Sequence, residues 1–210
     1  MKARYDYGVG HRVLELASIA AFVFLAACSF WRLAQASGFY LAAVVLLALP
    51  AGWLALDLLS GIAHWAFDSF GSASTPLIGP SFIHPFRAHH ADPAKMTRHD
   101  FVETHGASCF AALPLLVMAA VLPLESPAAI LGQAFASFTA LAALATNQCH
   151  KWAHMETTAT PAFVRWAQRR GIVLPPEQHR RHHTPPFNTH FCMTSGRLNR
   201  LFDGLLRLWR

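Results

Sequence analysis

Four long apolar stretches constrain this chain more than any other feature of its sequence. They cover about 13–33, 39–65, 107–124 and 128–150. A helix needs about 20 predominantly apolar residues to cross the hydrocarbon core of a bilayer. Only 13% of the residues are charged, whereas soluble domains average about 25%. The chain is therefore predicted to be an all-α membrane protein, with four transmembrane helices and a C-terminal segment at 151–210 in one domain, 1–210.

The basic residues predict an orientation. Of the 17 Lys and Arg residues, all except Arg32 precede the first stretch, lie between the second and third, or follow the fourth. Because Lys and Arg accumulate in cytoplasmic loops, we expect both termini and the 66–106 loop to be cytoplasmic. The Ala- and Arg-rich composition favours a bacterial chain, and hence a bacterial inner membrane.

The C-terminal segment differs from the spans. Pro161–Arg170 and Leu198–Trp209 mix Trp, Phe and Leu with Arg at helical spacing. Such helices either lie in the membrane interface or cap the cytoplasmic ends of the bundle, and the pattern does not choose between these two.

Two other classes of protein lose support. The four cysteines form no CxxC pair, so we interpret them as free thiols and not as a disulfide framework. The net charge of +6 follows the membrane topology, so a nucleic-acid partner is not expected.

Polar residues gather near the predicted cytoplasmic ends of the spans. His64 and Asp68 lie at the end of the second span, and His89, His90 and His99 lie in the loop that follows. The fourth span ends with Asn147, His150 and His154, and the C-terminal segment carries His179, His182 and His183. Within the helical clusters the spacing is three, four or seven residues, which places side chains on one face. All of these side chains can therefore converge at similar depth.

The number and type of these side chains indicate a metal centre. Imidazole suits zinc, copper, iron and nickel, whereas calcium and magnesium prefer oxygen ligands. Eight or more nitrogens exceed what one ion needs, which favours two ions. The Glu-x-x-His pairs of soluble di-iron bundles are absent, as are the HExxH and GxSxG motifs of common hydrolases.

Four segments carry a resemblance to a known family. They are GIAHWAFDSFGS (61–72), PFRAHHADPAKMTRHDFVETHG (85–106), TNQCHKWAH (146–154) and HRRHHTPPFNTHFCMTSGRLN (179–199). In this order they resemble the lipid desaturase family from about residue 57 to 203. The second and third look more like its plasmanylethanolamine branch than its plant branch, which makes a trans-3 acyl chain on phosphatidylglycerol.

The resemblance implies an oxidoreductase that uses O₂ to form the vinyl ether bond of plasmalogens from 1-O-alkyl phospholipids. It implies two iron ions bound by His64, His89, His90, His150, His154, His179, His182 and His183, with Asp68, His99 and Asn147 as possible further ligands. Asp57 and Asp100 are expected to accept hydrogen bonds from the ligand imidazoles and orient them, without binding the metal themselves. His84 and His105 are left out of the ligand set.

Two kinds of partner are expected. Arg87, Lys95, Arg98 and Arg181 are candidates to contact the phosphate of the lipid, although they also fit as ordinary positive-inside charges. No flavin or nicotinamide fingerprint occurs in the sequence, so an external electron donor such as cytochrome b5 or a ferredoxin is expected. The basic face suits an acidic donor of this kind.

Three alternatives stay open. The same chemistry can act on a phospholipid acyl chain, as in the plant branch. An intramembrane zinc-dependent lipid hydrolase would use fewer histidines. A metal carrier or sensor would bind metal without oxidising a lipid, but a transporter should place ligands along a path through the bilayer.

Overall fold

The structure is a computed structural model that describes residues 8–76 and 78–209. Within these ranges the chain forms eight α-helices and no strand. The four longest helices are α1 (Val9–Ser37), α2 (Leu41–Ser69), α4 (Phe101–Val121) and α5 (Pro127–His154). Each is long and apolar enough to cross a membrane, which confirms the predicted all-α architecture with four spans.

The short helices all follow α2. They are α3 (His84–Ala91), α6 (Ala162–Arg169), α7 (Pro176–His182) and α8 (Asn199–Trp209). A π-helical turn at Gly79–Ile83 leads into α3, and 3₁₀ turns cover Gly38–Tyr40 and Pro93–Arg98. Helices α6 and α8 coincide with the two amphipathic segments of the sequence.

The long helices extend beyond the apolar stretches that predict them. Helix α4 begins at Phe101, six residues before the predicted span, and α5 continues to His154. Pro50 and Pro114 lie inside helices that continue past them, as expected for membrane helices. At the start of α5, the Ser126 hydroxyl accepts a hydrogen bond from the Ala129 N–H at 3.2 Å, and Pro127 occupies the first helical position, where its missing N–H is not needed.

The chain divides into two compact units. One comprises Arg12–Leu56 and Phe101–Gln148. Its core consists mainly of small residues, among them Ala112, Ala140 and Ala143, which allow membrane helices to approach closely. At Gly52 a Cβ atom would lie 2.7 Å from the Thr139 backbone nitrogen, so this contact requires glycine.

Several polar groups inside this first unit find partners. The Ser29 and Ser137 hydroxyls are 2.7 Å apart, and the Gln133 side-chain amide donates to the Ser29 carbonyl oxygen at 2.7 Å. Arg32, the one basic residue outside the predicted cytoplasmic face, donates to the carbonyls of Ala119, Ala120 and Leu122. It thus satisfies carbonyls that the end of α4 leaves without an intrahelical donor.

The second unit comprises the described part of Met1–His11, together with Asp57–Asp100 and Cys149–Arg210 up to residue 209. It contains the ends of α2 and α5 and all four short helices. Its apolar core joins α8, through Phe202 and Leu206, to Phe191 and the partly buried Trp65. All eight predicted histidine ligands lie in this unit. That the whole chain is a single domain stays a prediction.

Candidate metal centre

Five histidines bring their side-chain nitrogens together in the second unit. The members of this five-histidine group are His89, His150, His154, His179 and His183. Four Nε2–Nε2 distances within it run from 2.7 to 3.1 Å. The group therefore points its ring nitrogens into one small volume.

A second group lies in the same unit and shares α3 and α7 with the first. Its members, named here the Asp68 group, are His64, Asp68, His90 and His182. Asp68 Oδ2 is 3.2 Å from His64 Nε2, 3.3 Å from His90 Nε2 and 3.6 Å from His182 Nε2. In each group the candidate ligand atoms all lie within 4.8 Å of one another.

Helical geometry explains how each group forms. His64 and Asp68 are four residues apart on α2, as are His150 and His154 on α5, so each pair lies on one face. Consecutive residues of a helix point about 100° apart. His89 therefore joins the five-histidine group while His90, on the same helix, joins the Asp68 group.

Backbone carbonyls orient three of the rings through Nδ1. His89 Nδ1 lies 2.8 Å from the Phe86 oxygen, His182 Nδ1 lies 2.9 Å from the Thr189 oxygen, and His64 Nδ1 lies 3.3 Å from the Phe191 oxygen. A carbonyl can only accept, so each Nδ1 carries the proton. The Nε2 lone pair is then free to bind a metal ion.

Burial keeps these imidazoles neutral. It is the main cause that lowers the pKa of His89 to about 2, of His183 to about 3 and of His182 to about 4. The pKa of the buried His179 is lowered for the same reason, with further lowering from His154 and His183. At pH 7 these rings do not have to lose a proton before they bind a metal.

The donor set fits two transition-metal ions. Ligands held about 2.1 Å from one ion at tetrahedral or octahedral angles lie about 3.0–3.4 Å apart, close to the spacings in both groups. In addition, although Asp68 Oδ2 lies near three imidazoles, His64 Nε2 and both Asp68 carboxylate oxygens are buried and make no hydrogen bond. Buried polar atoms without a partner are costly, and a bound cation would satisfy all three.

Asp68 joins the eight histidines, whereas His99 does not. His99 follows the 3₁₀ turn at Pro93–Arg98 and belongs to neither group; its backbone carbonyl accepts a hydrogen bond from Lys151 Nζ at 2.5 Å. Asn147 lies on α5, three residues before His150. A ligand role for Asn147 stays a prediction.

The two carboxylates expected to orient the imidazoles from outside also differ in position. Asp57 is fully buried, and its carboxylate accepts hydrogen bonds from the backbone N–H groups of Thr194, Ser195, Gly196 and Leu198. Asp57 thus holds the backbone of a loop. Asp100 is exposed and directly precedes α4.

The four basic candidates for lipid contact are all exposed. Arg87 donates to the carbonyls of Phe67 and Phe70 at the end of α2. Arg98 lies 3.6 Å from Asp92, and Arg181 lies 3.7 Å from Glu177. Contact of these side chains, or of Lys95, with a lipid phosphate stays a prediction.

Sequence reasoning missed the groups that orient the rings. The carbonyls of Phe86, Thr189 and Phe191 belong to the backbone and have no signature in the sequence. Asp203 was also missed. It is buried on α8 between Phe202 and Leu206, and a carboxylate on the apolar face of an amphipathic helix was the available signal.

The four apolar helices and the paired histidine groups define a membrane protein with a centre that can hold metal. The chain belongs to the lipid desaturase domain family, whose sequence profile matches residues 53–210. It is 41% identical over 197 residues to a plasmanylethanolamine desaturase of Myxococcus xanthus, covering 92% of this chain and 68% of that protein.

Other relatives belong to animals and plants. The chain is 37% identical over 209 residues to plasmanylethanolamine desaturase 1 of Mus musculus, covering 97% of this chain and 76% of that protein. It is 36% identical over 156 residues to the chloroplastic fatty acid desaturase 4 of Arabidopsis thaliana, covering 73% and 46%, respectively. No solved structure matches the chain.

Proposed function

We propose that this protein is a plasmanylethanolamine desaturase-like enzyme that forms the vinyl ether bond of a plasmalogen from a 1-O-alkyl phospholipid. One observation carries the proposal: eight histidines and one aspartate form two adjacent groups that each suit a metal ion. The identity to the Myxococcus and mouse relatives indicates the ether lipid as the substrate class.

The two groups would hold one iron each. The ligands at one position would be His89, His150, His154, His179 and His183, and those at the other would be His64, Asp68, His90 and His182. Imidazole and carboxylate are ligands that iron accepts. Bound iron supplies the redox chemistry that activates O₂.

The reaction removes one hydrogen from each of the two alkyl carbons next to the ether oxygen. Those two carbons become doubly bonded, and O₂ is reduced to two water molecules. The balance requires two further electrons and two protons. An external donor such as cytochrome b5 or a ferredoxin supplies the electrons, and the exposed basic side chains suit an acidic donor.

The chain's own residues control where oxidation takes place. The imidazoles, held by backbone carbonyls, fix the position of the reacting centre. The lipid lies with its phosphate near the basic face, so that the first carbons of the alkyl chain come close to that centre. By the positive-inside rule this face and both termini are cytoplasmic, and in a bacterium the membrane is the inner membrane.

Acyl desaturation is the runner-up, because the plant relatives are fatty acid desaturases. The plant relatives are 32–36% identical to this chain, and the alignments cover 73–75% of it. The alignments to the plasmanylethanolamine desaturases cover more, 92–97% of the chain. A zinc hydrolase is not favoured, since nine ligands exceed what one zinc ion uses.

The test is lipid analysis in cells that are rich in 1-O-alkyl phospholipid but cannot make plasmalogen. We expect the native chain to produce acid-labile vinyl ethers and the His182→Ala variant to produce none above background. His11→Ala serves as the matched control, because His11 lies in neither group, and it should retain activity. Mass spectrometry before and after acid treatment measures the product.

Two outcomes contradict the proposal. A new trans double bond in an acyl chain would make the protein an acyl desaturase. A folded, iron-loaded protein that forms neither product with a working reductant would not be a lipid desaturase of either kind.

A further inference from the structure

The segment at 189–198 is the second part of the connection between α7 and α8 and has no regular secondary structure. Its backbone contacts two histidines of the Asp68 group: the Thr189 carbonyl accepts from His182 Nδ1 at 2.9 Å, and the Phe191 carbonyl lies 3.3 Å from His64 Nδ1. The buried Phe191 ring lies against both imidazoles, at centroid distances of 5.1 and 5.8 Å. This single segment therefore sets how two rings of one group are aimed.

A carboxylate on α8 holds the start of the segment. Asp203 Oδ2 accepts a hydrogen bond from the Thr189 hydroxyl at 2.5 Å, and Oδ1 accepts from the His190 N–H at 3.0 Å. His190 has a φ of 59°, in the left-handed region that a non-glycine residue rarely adopts. Such a conformation persists only where the surroundings fix it. The hydrogen bonds of Asp203 to Thr189 and His190 fix the backbone here.

A second carboxylate holds the end of the segment. Asp57 Oδ1 accepts the N–H groups of Thr194, Ser195 and Gly196 at 2.7–3.1 Å, and Oδ2 accepts that of Leu198 at 3.1 Å. Asp57 lies on α2 two turns before His64, so the helix that carries one ligand also fixes the loop that orients it.

We propose that 189–198 is a positioning segment for the metal ion of the Asp68 group, and that Asp203, acting through Thr189, is a positioning residue for His182. The carbonyl of residue 189 fixes the tautomer and the direction of the imidazole. If Thr189 shifts, the Nε2 atom of His182 moves with it. The five-histidine group then serves as an internal control, because the Nδ1 contact of its His89 is with Phe86.

The test compares two substitutions of Thr189. Thr189→Val keeps the shape of the side chain and removes its hydrogen bond to Asp203, whereas Thr189→Ser keeps the hydroxyl. Each full-length protein is loaded anaerobically with ⁵⁷Fe²⁺, and metal content and Mössbauer spectra are recorded. We expect Thr189→Val to weaken one of two metal positions about ten- to hundredfold, to change one quadrupole doublet and to spare the other. Thr189→Ser should resemble the native protein.

Asp203→Asn extends the test, with Glu125→Gln as the matched control. Glu125 is an exposed carboxylate in the turn between α4 and α5, so its conversion to an amide should leave both doublets unchanged. Asp203→Asn should change the same doublet as Thr189→Val. The inference is overturned if Thr189→Val and Asp203→Asn leave both doublets and the metal content unchanged, or if both positions weaken equally. If Asp203→Asn does not fold, the Thr189 pair decides the result alone.

The inference rests on the proposed function for the identity of the metal, but the two fail separately. A native protein that binds two metal ions and forms no vinyl ether contradicts the function, while the doublets still test the positioning role. A native protein that makes plasmalogen but whose Thr189→Val variant has unaltered spectra contradicts only the inference.

Discussion

At the scale of single residues, neighbours in the chain divide between the two groups that could each hold a metal ion. His182 and Asp68 belong to one group, and His183, next along the chain from His182, belongs to the other. The pair His89 and His90 divides in the same way. Because one peptide bond joins the two histidines of each pair, these two short segments fix the two groups relative to each other. The chemical difference between the positions lies in Asp68, the carboxylate that the five-histidine group lacks.

Asp68→Asn tests that difference. The amide has the size of the carboxylate but no negative charge, and its nitrogen cannot bind a metal ion. We expect the metal content of the isolated protein to fall from about two ions per chain to about one, because the five-histidine group keeps all its ligands. Elemental analysis after dialysis measures the content.

The control for Asp68→Asn is Glu156→Gln, since Glu156 is exposed and lies in neither group. It should retain both ions. Two ions per chain in Asp68→Asn would show that the carboxylate is not needed for binding.

At the scale of elements, α8 has three faces. Phe202 and Leu206 lie in the core with Phe191 and Trp65. The exposed apolar residues, Leu201, Leu205, Leu208 and Trp209, form a stripe, since each residue advances about 100° around the axis. Arg200 and Arg207 occupy the third face. An apolar stripe beside basic residues is typical of a helix in the membrane interface.

Site-specific labelling tests this placement. We expect an environment-sensitive fluorophore on Leu208→Cys to shift to shorter wavelength in anionic lipid vesicles relative to a short-chain detergent. The same label on Arg207→Cys, on the basic face, should shift less. Cys28 is replaced by serine in both proteins, because the other native cysteines are buried. Equal emission from the two positions in vesicles would show that α8 caps the protein and does not enter lipid.

The sequence predicts the members of the two groups better than it predicts how they divide. Spacing of three or four residues on helices and the adjacent pair His89-His90 indicate eight histidines, and all eight lie in the two groups. The division of His89 from His90 depends on how α3 packs, so it has no local signal. Helix α4 begins before the apolar stretch that predicts it, because Thr104, His105 and Gly106 interrupt the apolar pattern although all three are buried in the helix.

At the scale of the whole molecule, the ligands come from parts of the chain that are distant in sequence. The Asp68 group joins α2, α3 and α7, and the five-histidine group joins α3, α5 and the end of α7. Two bound ions would therefore cross-link four helices of the second unit. A ligand that binds the folded state alone stabilises it by about 2.7 kcal/mol at 100 times its dissociation constant.

Removal of the metal should therefore lower stability as well as activity. We expect chelation to lower the Tm of the protein in detergent by about 5–10 °C per ion. This range follows from a loss of about 2.7 kcal/mol per ion and a shift in Tm of about 2–4 °C per kcal/mol for a chain of this size. Anaerobic Fe²⁺ should restore both Tm and desaturation. A His150→Ala, His182→Ala double variant, with one ligand removed from each group, should show a much smaller response to the chelator. A native protein whose Tm is the same with and without metal would contradict the cross-link, because binding energy that acts only on the folded state must appear in its stability.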